Sequence, residues 1–245
     1  MISVTRTIRL RRRAVVLCCG VLIAAAATCS AIGCHFEPQG EGRVASVIDN
    51  RTFRLEDGRE VRLVGIQTVT TGSTALAALI TGRNVTLDGE TDVPDRWGRQ
   101  PAFVCAGGSE ASVQGSDTSV QGLLLAKGGA LVSAEVADQG CAAEPVTAEA
   151  AARQAKLGTW AGPGVIKNAE SPGDILASIG QFAVVEGESL ICQAVRGDIL
   201  CQFWAALDSG LCGDYFKAHD EFLRGWGNHP QVLESRRVRV RGWVE

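Results

Sequence analysis

Histidine, tyrosine and positive charge are all scarce in this 245-residue chain, which has three histidines, one tyrosine, and 24 Lys and Arg against 27 Asp and Glu. With so few histidines and no close Cys/His pair, the ligand spacing of a structural zinc site is missing. Aromatic residues make up only 5% of the chain, and too few lie near its basic stretches to build a base-stacking platform. The formal net charge is −3, yet residues 1–34 hold five arginines (Arg6, Arg9, Arg11, Arg12, Arg13) and no acid, so the remainder carries −8. Proteins that hold duplex nucleic acid by neutralising phosphates show the opposite balance, which leaves only a local basic groove open to that role. What is not scarce is apolar material. At 46% apolar and 21% charged, the chain can bury a core without metals, as one large domain or two modest ones.

The basic start runs into an apolar stretch from Ala14 and then into small residues, the order of an export signal over 1–34. Its end, "AIGC" at Ala31–Cys34, resembles a bacterial lipobox, in which Cys34 is lipidated. Simple cleavage and a retained helical anchor are the alternatives, the apolar run being about twenty residues, enough to span a bilayer. All three place the body outside the cytoplasm, periplasmic or anchored to a membrane by lipid at Cys34 or by the N-terminal helix. Of nine cysteines, four belong to this leader. The other five, Cys105, Cys141, Cys192, Cys201 and Cys212, are free to form bridges in an oxidising compartment, with an odd one over and no pairing fixed by sequence.

After a linker at 35–41, "RVASVID", "TFRLEDG" and "EVRLVGI" read as an antiparallel meander turning at Asp57-Gly58. "TGSTALAALITG" is a helix capped by Ser73 or Thr74 and stopped at Gly82. "NVTLDGE" and "RQPAFVCA" are two further strands, followed by a Gly/Ser-rich surface insertion and a second helix, "SVQGLLLAKGG". A third helix, "TAEAAARQAKLGTW", has Thr147 as its cap and Gly158 near its end. The expected fold is α+β: an OB-type five-stranded β-barrel with three helices over 42–160. A linker at 161–174 then leads to a smaller α+β unit at 175–245, ending on a strand as though a closing segment were missing. In that unit "DYFKAHDEFLRGW" reads as an amphipathic helix and "RRVRVRGWV" as a strand. Arg237, Arg239 and Arg241 alternate along that strand, as an exposed face or as a track for a phosphate backbone. Trp204, Trp226 and Trp243 read as core or partly buried, and His219 and His229 as surface residues.

Four local signatures, in order, resemble the staphylococcal nuclease-like (thermonuclease, TNase-like) family over roughly Gly42–Trp160: "VIDNRT", "VRLVGIQT", "DRWGR" and "EAAARQAKLGTW". The C-terminal unit is similar to an extension of some exported bacterial members. The resemblance implies an OB-fold and calcium-dependent phosphodiester cleavage, with oxygen ligands for the cation, a base for water, and arginines for the charge developing on phosphate. Arg62 and Arg99 match the family's two arginines.

The acids do not match. The turn Asp-Gly-Asp-Thr of active members is Asp49-Asn50-Arg51-Thr52, the second metal-ligating Asp is Gln67, and the water-activating Glu is Thr70. Asp49 and the Thr68 carbonyl are the residual oxygens, a poor calcium set. Ala134 and Val136 stand where nucleotide-contacting tyrosines would be. The expectation is therefore a pseudoenzyme of the envelope with no cofactor. Arg51, Arg62 and Arg99 would hold a phosphate of a nucleotide, a nucleic acid or another ligand, or the module would hold a protein. The alternatives are an active nuclease using calcium through a remodelled site, and a purely structural envelope protein.

Overall fold

The computed structural model describes residues 36–68, 72–106, 119–133, 139–195, 198–203, 215–219 and 235–244, with the backbone alone for 190–203 and 215–219. The leader with Cys34, the insertion at 107–118, Thr70, Ala134, Val136, Trp204, Cys212, Trp226 and His229 lie outside the described residues. Among the described residues no helix is long and apolar enough to cross a membrane.

In chain order the first half comprises β1 (Glu37–Val47), β2 (Thr52–Leu55), β3 (Glu60–Leu63), β4 (Ile66–Thr68), α1 (Gly72–Ile80), β5 (Asn84–Gly89), β6 (Gln100–Ala106), α2 (Val120–Ala126), β7 (Ala130–Val132) and α3 (Gln139–Gln154). Strands β1, β2, β3, β6 and β5 close, in that order, into a barrel. All its pairings are antiparallel except β3 with β6. β1 is long enough to close it alone, pairing with β5 through its first half and β2 through its second.

Alternation along the strands explains the barrel: Phe53, Leu55, Val61, Leu63, Val85, Leu87, Ala102 and Val104 are all inward and buried, joined by Leu76 and Ile80 of α1 and Leu124 and Leu125 of α2. Each such side chain contributes about 1.5–3 kcal/mol by leaving water. Helix α1 stops where Gly82 takes a positive φ, as the sequence suggests, but it starts at Gly72, so Ser73 and Thr74 sit inside its first turn instead of capping it. In α2 the expected start holds, with Ser119 Oγ accepting the Gly122 N–H at 2.8 Å.

Helix α3 departs further, beginning eight residues before Thr147, whose hydroxyl donates to the Ala143 carbonyl inside the helix. Pro145 normally argues for a later start, because it breaks the helical bond to the fourth residue before it. Here tertiary contacts hold the extra turns: Cys141 is disulfide-bonded, and the Glu144 carboxylate accepts the Ser119 hydroxyl at 2.8 Å. The reading of "EVRLVGI" as one strand is also corrected. Gly65, at φ +76, turns the chain out of the barrel, and β4 pairs with β7 instead.

The second half contains a 3-10 turn at Gly158–Ala161, β8 (Ile166–Asn168), α4 (Pro172–Leu176), β9 (Phe182–Val195), β10 (Asp198–Phe203), β11 (Tyr215–His219) and β12 (Arg236–Trp243). The stretch at 161–174 is thus more than a linker, since β8 joins β9 in parallel as part of the second sheet, ordered β11-β10-β9-β12. Residues 215–219, expected in a helix, form β11. Their backbone pairs with β10 from Asp198↔His219 to Gln202↔Tyr215, so an available sheet edge overrides helical spacing.

The two halves meet where the chain approaches itself closely. Gly128 and Gly158 both have positive φ, the Thr159 N–H donates to the Gly128 carbonyl at 2.9 Å, and a Cβ on either glycine would collide with the facing backbone. This contact seats Trp160 in a small cluster with Leu131, Ala152 and Val184, to which β8 and β9 add Ile166 and Phe182. Trp243, in contrast to the sequence reading, is 57% exposed, its ring in edge contact with that of Phe182, its register partner on β9.

Candidate functional site

The turn between β1 and β2 is built by its own side chain: Asp49 Oδ1 accepts the Arg51 N–H at 2.8 Å while the Ile48 and Asp49 N–H groups donate to the Thr52 carbonyl. Asp49 is thus committed to its turn. The Arg51 carbonyl accepts the Leu63 N–H of β3, fixing the turn against that strand. Its side chain then crosses to β4, where Nη1 donates to Gln67 Oε1 at 3.1 Å and lies 3.4 Å from the Ile66 carbonyl. Two positions sixteen residues apart in sequence, both singled out above as lost acids, are therefore in direct contact.

Arg62 sits in mid-β3 on the outer face of the barrel, between buried Val61 and Leu63, with Thr52 and Pro101 as its register neighbours on β2 and β6. Its Nε is buried. Arg51 thus lies in the turn leading into β2, next in sequence to Thr52, the register partner of Arg62.

Arg99 is held differently. Its Nε and Nη2 contact Asp95 Oδ2 at 2.9 and 2.8 Å, and Asp95 Oδ1 accepts the N–H groups of Arg99 and Trp97. Burial works to raise the Asp95 carboxyl, but hydrogen bonds from Arg99 and Trp97 outweigh it and hold it below the usual range. Trp97, 62% exposed, lies between the guanidiniums of Arg96 and Arg99, 3.8 and 4.6 Å from its ring centroid. Arg99 is thereby satisfied within its own turn, where Gly98 supplies the positive φ. Asp92 is exposed.

The described residues set a cation where the resemblance implies calcium ligands. A guanidinium occupies the gap between the turn and β4, Gln67 offers a neutral oxygen already engaged by it, and Asp49 faces its own backbone. Among the described residues no group of three or more His, Cys, Asp or Glu side chains is arranged to hold a metal.

A second polar constellation escaped the sequence reading. Glu149 of α3, almost fully buried, accepts the Val132 N–H at 2.9 Å and takes both Nη atoms of Arg241 from β12 in a fork, at 2.7 and 2.5 Å. Arg241 Nη1 also donates to the Val132 carbonyl. Beside it Glu186 of β9 is shared by Arg239, its register partner on β12, with Arg153 of α3 and Arg237 at 3.7 and 3.6 Å. The alternating arginines of β12 are thus a seam between the sheet and α3, with Arg237 the most exposed of the three. The carboxylate partners lie about fifty and ninety residues away, beyond any local pattern.

Two further carboxyls are raised. Burial raises Glu144, opposed by its hydrogen bonds from Ser119, and burial alone raises Asp88, whose Oδ2 has no hydrogen-bond partner among the described residues.

Comparison of the chain with protein-family models, and with curated proteins, finds no match in either set.

Proposed function

We propose that the protein is an exported, envelope-associated relative of the staphylococcal nuclease-like family, with a degenerate hydrolytic site, that works as a phosphate- or nucleic-acid-binding module. The observation that carries this reading is the hydrogen bond from Arg51 to Gln67. The resemblance gives both positions to calcium ligands, and here one stands in the turn before β2 of the closed mixed barrel and the other on β4 outside it, in hydrogen-bond contact. Their chemistry has changed from two negative ligands to a cation and an amide. A guanidinium at the ligand position repels a divalent cation where two charges that would attract it are gone.

Phosphate binding then falls to Arg51 and Arg62, whose planar forks suit bidentate contact with phosphate oxygens. Arg99 contributes less than the resemblance implies, because a phosphate must first draw it from Asp95. With Thr70 at the position where the resemblance puts the water-activating Glu, a bound phosphodiester stays intact in this reading.

The test is calcium-dependent cleavage of single-stranded DNA by the purified protein, beside the variant Arg51→Asp, Gln67→Asp, Thr70→Glu. Silence from the natural protein and cutting by the triple variant is the expected result. Cutting by the natural protein that Arg62→Ala abolishes overturns the reading in favour of a remodelled active nuclease. In a parallel titration, failure to bind a nucleoside 3′,5′-bisphosphate removes the binding role and leaves a structural envelope protein.

A further inference from the structure

Five cysteines of the body leave many pairings open on paper, and four of them fall at places in the fold that bear on the choice. On the antiparallel hairpin of β9 and β10, Cys192 stands directly opposite Cys201, inside an unbroken register from Asp198↔Val195 to Gln202↔Ile191. Directly opposed residues of antiparallel strands share one face of the sheet, with Cα atoms about 4.5–5.5 Å apart. That separation falls within the span of about 4.4–6.8 Å that a disulfide bridges. The register is fixed by pairings on both sides of the cysteines, so their opposition does not depend on one contact.

In the first half of the chain Cys105 and Cys141 are both disulfide-bonded and nearly fully buried. Ser119 forms a β-bridge to Cys105, and its hydroxyl donates to Glu144, one turn along α3 from Cys141. The two half-cystines therefore occupy the same corner, where β6, α2 and the first turns of α3 meet.

We infer that the body carries two intrachain disulfides, Cys105–Cys141 and Cys192–Cys201, and that Cys212 is left as a thiol. The first ties α3, across Pro145, to the barrel. The second locks the hairpin at the centre of the C-terminal sheet. In each, two thiols form one S–S bond while two electrons and two protons pass to a disulfide oxidant, a small molecule or a dithiol–disulfide exchange protein of the exported compartment, which leaves as two thiols. The inference is independent of any phosphate affinity.

The experiment uses the full chain, unreduced, with thiols alkylated under denaturing conditions before digestion by trypsin and an Asp-directed protease. Cleavage at Arg196, Asp198 and Asp208 separates Cys192, Cys201 and Cys212 onto three peptides. The expected map joins the peptide ending at Arg196 to the one beginning at Asp198, joins the Cys105 and Cys141 peptides, and shows Cys212 alkylated. Alkylation of Cys192 or Cys201, or a linkage of Cys212 to any of the other four, overturns the assignment. As a second arm, Cys212→Ser leaves both linkages intact, whereas Cys201→Ser renders Cys192 alkylatable without disturbing Cys105–Cys141. A map of Cys212→Ser that lacks either linkage counts against the inference.

Discussion

The barrel and the C-terminal sheet are held by different forces. Among the described residues, seventeen buried apolar side chains from the barrel, α1, α2 and the β4–β7 pair form one continuous core, so its stability is spread over many contacts, none of which depends on charge. Among the described residues the second cluster has four buried members, Leu131, Ala152, Trp160 and Val184, of which Val184 comes from the sheet, and the sheet docks on α3 through two carboxylates, Glu149 and Glu186, that gather arginines from β12 and α3. The lesson is one of vulnerability: a distributed apolar core fails gradually, whereas an ionic seam fails when one partner is removed, because the other is left buried and uncompensated.

The largest expected effect sharpens that contrast. Phe53→Ala, at the centre of the barrel, should cost about 3–5 kcal/mol in denaturant unfolding, with a penalty independent of salt. A salt-dependent loss there would show that the barrel is less apolar in its energetics than its packing implies.

Next comes the seam. Glu149→Ala strands the Arg241 guanidinium and the Val132 N–H, and should destabilise by about 3 kcal/mol. The paired change Glu149→Met with Arg241→Met should restore most of that loss, since apolar residues of similar volume often replace a buried ion pair without cost. If the double variant is no better than the single one, the seam is holding the sheet by more than charge compensation.

The smallest effect concerns the barrel's own ionic exception. Asp88 is buried without a partner at Oδ2, and burial raises its carboxyl. The folded state therefore holds the proton more tightly than the unfolded chain does, so the charge is destabilising above the folded-state pKa and the penalty fades as pH falls through it. Asp88→Asn should accordingly stabilise the protein by about 1 kcal/mol at neutral pH, and the gain should shrink on acidification. A gain that grows as pH falls would reverse the assignment. The seam carboxylates offer the contrast, being satisfied by arginine where Asp88 is not.

Much of the barrel was legible in the chain because its strands alternate every second residue and its turns carry Asp-Gly and other glycine signals, both local properties. The candidate site was legible in part. Positions 51, 62, 67 and 99 were singled out by resemblance alone, and the structure brings 51 and 67 into hydrogen-bond contact. It also commits Arg99 to Asp95. What was misread lies where tertiary contact outweighs local preference. Helix α3 runs through Pro145 because its first turns are tethered to the barrel, residues 215–219 become a strand because β10 offers an edge, and β4 leaves the meander because β7 is there to pair with it.

By itself, then, the sequence determined the alternating strands, the helix stop at Gly82, the Ser119 start of α2, and the presence of Arg51, Gln67 and Thr70 where the resemblance implies acids. These depend on residue type and near neighbours, which the chain carries wherever it folds. Only the tertiary structure decided that Arg51 would bond Gln67, that the arginines of β12 would face Glu149 and Glu186, and that Cys192 would stand opposite Cys201. Each of those needs two distant segments in register, and register is set by how the sheets close and pack.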